Sequence, residues 1–222
     1  STWQSNPTTA TQNDQQLFNS AYVAPHRIIS TLSYKLNYGK NFATTFTLFG
    51  EIAMGNNYSY TINGDLNNDG NSTSDLMYIS YFPNFVAQAA SGGNPARTTT
   101  EQLAAWQQFV QNTPYLRKNI NQYAGRNEAY LPWVSRFDLR IVQDIMANIG
   151  AHKHTLQITA DILNFGNMLF KSAGVRQITT TTQPLIFRGY DATGRPTYTM
   201  QQQGGQLVTK PWQDNLSLAS TW

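Results

Sequence analysis

Between Tyr130 and Asn167, apolar and polar residues alternate with a period of two along two long segments joined by a short turn. From Trp133 the odd positions are Trp133, Ser135, Phe137, Leu139, Ile141, Gln143 and Ile145. The even positions are Val134, Arg136, Asp138, Arg140, Val142, Asp144 and Met146. After Ala147 to His154 the pattern resumes, with Leu156, Ile158, Ala160 and Ile162 opposite Thr155, Gln157, Thr159 and Asp161. Side chains point to alternate faces only in a strand, because a helix repeats every 3.6 residues. These segments therefore read as strands, and they exceed the usual length of about 5–6 residues. One face is greasy and the other carries Arg136, Asp138, Arg140 and Asp144. A long strand needing an apolar medium on one side and water on the other is what a membrane-spanning β-barrel requires.

A second pair with the same character precedes it. Ile28, Ser30, Leu32, Tyr34, Leu36 and Tyr38 share one face, opposite Arg27, Thr31, Ser33, Lys35 and Asn37, with Ile29 as the exception. Gly39-Lys40-Asn41 reads as a tight turn, and Phe42, Thr44, Phe46, Leu48, Ile52 and Met54 form the apolar face of the next strand. Alternation continues through Tyr58, Tyr60 and Ile62. The expected strands cover about 22–38, 42–62, 132–147 and 154–165. Short turns alternate with long excursions over 63–131 and 167–215. Barrels of the outer membrane have short turns on one rim and long loops on the other, whereas soluble domains rarely tolerate such long connections.

The first excursion contains one clear helix signal. Thr98 and Glu101 have capping-box spacing, Leu103, Trp106, Phe109 and Val110 make an apolar stripe, and Asn112-Thr113-Pro114 stops it. In the second, Pro184–Tyr190 and Arg195–Met200 flank Asp191-Ala192-Thr193-Gly194 as a hairpin. Residues 1 to 20 read as a polar surface loop or disordered arm, and Leu216 to Trp222 alternates weakly.

Composition narrows the class. The apolar fraction is 40% and the mean hydropathy −0.44, and no apolar run approaches the roughly 20 residues of a membrane helix. Barrel strands escape that test because alternation dilutes their hydrophobicity. Aromatics make up 13%, which suits membrane interfaces as well as ordinary ones. With no cysteine, thiol catalysis and Cys-based zinc sites are excluded. A net charge of +3, scattered along the chain, gives no case for nucleic acid. The start, Ser-Thr-Trp-Gln-Ser-Asn-Pro, has no signal-peptide pattern, so an export signal is expected upstream.

Several stretches together resemble one family. They are Pro25-His26-Arg27-Ile28, Gly64 to Gly70 followed by Asp75-Leu76-Met77-Tyr78, and Tyr115-Leu116-Arg117-Lys118. Gln122 to Asn127, Pro132 to Arg140 and Asp161 to Asn167 complete the set. Their order resembles the last part of the barrel of TonB-dependent outer-membrane transporters of the Oar-like type, which carry a carboxypeptidase-regulatory-like domain. The resemblance covers essentially the whole chain. It implies an all-β fold: antiparallel strands forming a fragment of a transmembrane β-barrel, with long extracellular loops and one short helix. It also implies a 22-stranded barrel with a plug domain, importing a large or scarce solute with energy from the TonB complex. The plug, the TonB box and most strands would lie outside this chain, with the final strand starting near Trp222.

Candidate sites are few. Asp65, Asn67, Asp69, Gly70, Asn71 and Asp75 nearly spell a calcium loop, with oxygen ligands at positions 1, 3 and 5 and glycine at 6. Asp75 stands at position 11, with Leu76 at 12, so a plain turn stays open as the other reading. Arg136, Asp138, Arg140 and Asp144 are expected to face a lumen; a salt-bridged wall is preferred to solute contact. The helix with Trp106 offers a lid over a solute, and Tyr115, Arg117, Tyr123 and Arg126 offer stacking and cation–π contacts to a glycan or peptide; loop packing is the preferred reading of both. His26, His152 and His154 form no ligand set, with His152 and His154 placed in a turn. No nucleophile elbow, zinc-protease motif or phosphate loop occurs, so an enzyme is not expected. Besides transport, two functions fit the pattern: an outer-membrane adhesin or assembly partner, and a secreted β-protein binding calcium or glycan.

Overall fold

The computed structural model describes residues 6–10, 13, 17–22, 25–149, 152–170 and 173–215. Along the chain, β1 (Arg27–Tyr38), β2 (Phe42–Ala53) and β3 (Asn57–Tyr58) precede α1 (Thr99–Asn112), α2 (Pro114–Lys118) and β4 (Ala129–Tyr130). Then come β5 (Val134–Ile149), β6 (His152–Ile162), α3 (Phe165–Leu169) and β7 (Gln177–Thr179). The series ends with β8 (Leu185–Tyr190), β9 (Pro196–Met200), β10 (Gln202–Gln203), β11 (Gln206–Leu207) and β12 (Trp212–Asp214). The chain is all-β in class, mostly antiparallel sheet, and it divides into two units.

One unit, built from 24–55, 132–177 and 214–222, is a four-stranded sheet in the order β1-β2-β5-β6. Its strands are 12, 12, 16 and 11 residues long. Register is continuous: Leu32 faces Leu48, Leu48 faces Leu139, and Leu139 faces Ile162. A shift of one residue would move every apolar side chain to the charged face, so patterning this strict fixes the register. Gly50 leaves room for a ring on its neighbour: a Cβ there would stand 2.9 Å from Phe137 and 2.8 Å from Ser30 Oγ. The first strand begins at Arg27 rather than near 22, and the second stops at Ala53 rather than 62. The fourth ends at Ile162, where Asn164 takes a left-handed φ of 54° and the chain turns into α3. His152 and His154 lie in β6, not in the turn.

The other unit, built from 1–23, 56–131 and 178–213, gathers the excursions around their own core. Tyr60, Ile62, Met77, Ile79, Trp106, Phe109, Val110, Leu116, Leu185 and Met200 are buried in it. Helix α1 forms as its signals predict. Thr98 is the N-cap, its hydroxyl accepting from Glu101 N while the Glu101 carboxylate accepts from Thr98 N. Two further short helices, α2 and α3, have no clear sequence signal. Hairpin β8–β9 also forms where expected. Asp191 shapes its turn, accepting from Thr193 Oγ1 at 2.6 Å and Arg195 N at 3.0 Å. These bonds, the Thr193 hydroxyl foremost, hold its carboxyl down at about 2. The N-terminal segment is not a free arm at Thr8, which is buried and donates its N–H to Ser74 O while accepting from Leu76 N. Leu216 to Trp222 lies outside the described residues.

Candidate functional site

Strand alternation and register give the sheet two unlike faces. On one lie Ile28, Leu32, Tyr34 and Leu36 of β1, Phe46, Leu48 and Ile52 of β2, Phe137, Leu139 and Ile141 of β5, and Leu156, Ile158 and Ile162 of β6. Many are open: Leu32 is 71% exposed and Leu156 61%. An exposed apolar patch of this continuity exceeds what scattered surface residues explain. Aromatic groups stand at both ends of this face. Tyr38 stacks on Phe42 near one turn, and His26 stacks on Trp133 at the opposite end. The Tyr38 hydroxyl donates to Gln143 Oε1 at 2.6 Å, as does that of Thr44, so the polar groups of this end satisfy one another.

The opposite face carries the expected charges, and all are paired. Arg136 meets Asp138 at 3.1 Å, and Arg140 grips Asp161 through Nε and Nη2 at 2.6 and 3.0 Å. Asp144 accepts from Lys35 Nζ at 3.4 Å and Gln157 Nε2 at 2.8 Å. Arg27 and Glu51 add a further pair at 2.7 Å. Asp138 Oδ1 also accepts from Asn164 N, which helps to anchor the turn into α3. The four expected residues thus share one face and are engaged in ion pairs and hydrogen bonds within the sheet. A shallow groove of about 310 Å³ runs there beside Thr31, Thr47, Asp138, Arg140 and Asp161.

The expected solute-contact residues are not brought together. Trp106 is fully buried and donates Nε1–H to Ser80 O at 2.8 Å, so it packs the core and is not available to a solute. Tyr115 is half-buried: its oxygen accepts from Gly125 N and its hydroxyl donates to Glu128, while burial raises it to about 12. Arg126 binds Asn6 Oδ1 and lies over the Phe18 ring. Arg117 and Tyr123 remain exposed, Tyr123 at 52% in an edge contact with Tyr78.

Sequence reasoning missed Gln102. It is fully buried in α1, donates Nε2–H to Val86 O and Thr98 O, and accepts from Met200 N at 2.8 Å. This amide ties the helix to hairpin β8–β9. Its only local signal is a polar residue beside the apolar stripe.

The segment 65–75 closes on itself as a turn. Asp69 N donates to Asp65 Oδ1 and Asn67 Oδ1, both at 3.0 Å; Gly70 N donates to Asp65 Oδ2 and Asn71 N to Asp69 Oδ1, both at 2.9 Å. Gly70 adopts φ +86°, a conformation that glycine takes without steric cost.

No family model, curated protein or solved structure matches this chain. Among the described residues, no helix is long and apolar enough to cross a membrane.

Proposed function

We propose that this chain is part of a TonB-dependent outer-membrane transporter, its four long strands being consecutive staves of the barrel and its excursions extracellular. The observation that carries this reading is the two-faced sheet: an apolar face, open along β1 and β6, backed by a face of paired charges. At about 3.4 Å per residue, the twelve residues of β1 run about 40 Å. A tilt of about 40° reduces this to about 30 Å of height, the thickness of a bilayer's hydrocarbon core. The aromatic residues at both ends fall where interfacial girdles stand. Arg136, Asp138, Arg140 and Asp144 then line the hydrated interior as a fixed wall. Solute contact falls to exposed loop residues such as Arg117 and Tyr123. Plug, remaining strands and TonB coupling belong to the rest of the protein.

Fractionation tests the reading. The full-length protein is expected in the outer membrane, extractable only with detergent, and solute uptake is expected to stop when TonB is deleted. Recovery in a soluble fraction without detergent would sink it. A second reading, a surface adhesin or assembly partner, is favoured by one observation: the excursions bury their own aromatic core instead of forming loose loops. Membrane insertion with no plug in the full-length protein would favour adhesion.

A further inference from the structure

An Asx-rich turn alone is not a metal site, since its side chains can serve only to cap backbone N–H groups. The independent observation is Asp75. It is 3% exposed, and its Oδ2 accepts from Leu66 N at 2.6 Å and Asn67 N at 3.0 Å, which sets the carboxylate against the opening of the loop. Its second oxygen, Oδ1, is buried and makes no hydrogen bond among the described residues. Two neighbouring hydroxyls, Ser74 Oγ and Thr8 Oγ1, are buried in the same condition, and Thr8 is bridged to Asp75. A buried carboxylate oxygen without a partner is costly, and a bound cation would relieve that cost.

The electrostatics agree. The charges of Asp65 and Asp69 act on Asp75. Three carboxylates therefore repel one another in a loop whose side-chain oxygens cap the N–H groups of Asp69, Gly70 and Asn71. Asn67 donates its amide N–H to Ala10 O, which leaves its own amide oxygen on the loop side.

We propose that Asp65, Asn67, Asp69 and Asp75 hold one calcium ion, with the main-chain carbonyl of Asn71 as a further ligand. Oxygen donors at positions 1, 3, 5 and 7 with glycine at 6 suit a hard cation of flexible coordination. The closing carboxylate stands at position 11 instead of 12. Beyond it the chain runs on not as a helix but as an extended segment fixed on both sides. Asp75 O accepts from Ile62 N at 2.8 Å, and Leu76 N donates to Thr8 O at 2.8 Å. The ion fastens the N-terminal segment at Thr8 and Ala10 to the excursion. Sites of this kind in extracellular modules bind at roughly 0.1–1 mM.

The test uses the full-length protein in detergent, titrated with calcium by calorimetry and with terbium by luminescence excited through tyrosine. Tyr190 donates its hydroxyl to Leu66 O at 2.8 Å and so serves as a local antenna. We expect one saturable site, terbium displaced by calcium, and magnesium bound more weakly. Asp69→Ala and the isosteric Asp75→Asn should each weaken calcium at least about tenfold, because each removes a charged ligand. Tyr190→Phe should dim the sensitised emission while calcium still displaces the ion. No heat at millimolar calcium in the folded protein would overturn the proposal. So would Asp75→Asn and Asp69→Ala binding as tightly as the parent, or Tyr190→Phe leaving the emission unchanged.

Discussion

The two units solve the same problem in opposite ways. In the unit built from the excursions, Tyr60, Trp106 and Phe109 are fully buried, and ring packs on ring. In the sheet, all twelve residues of β1 are exposed, and its apolar side chains lie open along one face. Both units are drawn from one chain with the same aromatic and aliphatic residues. The difference lies in where these residues are sent, which depends on periodicity. A period of two sends every second residue to the same side of a wide sheet. The irregular spacing of the excursions lets their apolar residues converge from several directions on one centre. The first arrangement needs a cover from outside the sheet; the second makes its own apolar interior.

The largest effect should come from the interior. Trp106→Ala deletes the largest fully buried ring and leaves Ser80 O without its donor. A loss of about 3–5 kcal/mol is expected for such a change. Hydrogen exchange should show the loss in the excursions, with the amides of β2 and β5 still protected. If both units loosen together, they are not separate in stability. A smaller effect, confined to the sheet, should follow Leu48→Arg, which places a charge at the middle of the apolar face. In lipid this costs about 2–4 kcal/mol near the midplane, read as a lower urea midpoint for unfolding from liposomes. An unchanged midpoint would argue that water, not lipid, meets this face.

On the charged face, Arg140→Met should move the midpoint less than Leu48→Arg does, since both partners of the Arg140–Asp161 pair are well exposed. The same urea titration reads it. The smallest effect is a pH dependence of hairpin β8–β9. Asp191 has its folded value lowered to about 2, below the unfolded value of about 3.9. Its contribution is therefore complete above the unfolded value and fades as pH falls through about 2. The amide resonance of Thr193, which donates to Asp191, should move over that interval, and Asp191→Asn should abolish the movement.

Legible and hidden features divide along the same line. The strands, helix α1 and the β8–β9 hairpin are legible because each is specified by neighbours: alternation, a capping box, a turn at Asp191–Gly194. The end of the second strand is misplaced because Tyr58, Tyr60 and Ile62 continue the period of two. Period alone does not say which sheet or core a ring will join, and these join the excursions' core. That core is illegible because its ties span long stretches of chain. Asn63 N donates to Leu185 O, Phe187 N to Asn63 O, and Met200 N to Gln102 Oε1. The same distance hides Gln102, whereas the burial of Trp106 is legible from the apolar stripe of α1. In the candidate loop, Asp65, Asn67, Asp69 and Gly70 are legible from spacing. The orphaned oxygen of Asp75 depends on Thr8, far away in sequence, and is not.

Everything proposed for the sheet depends on its apolar face meeting lipid while its charged face meets water. Leu48 and Thr47 are adjacent on β2 and point to opposite faces. The chain has no cysteine, so a single cysteine placed in this segment gives a unique label within it. Spin labels at Leu48→Cys and Thr47→Cys in the full-length protein, reconstituted in liposomes, can be relaxed by lipid-soluble oxygen or by a water-soluble nickel chelate. A barrel wall requires that oxygen dominate at position 48 and the chelate at position 47. Equal accessibility at the two positions, or dominance of the chelate at both, would contradict it.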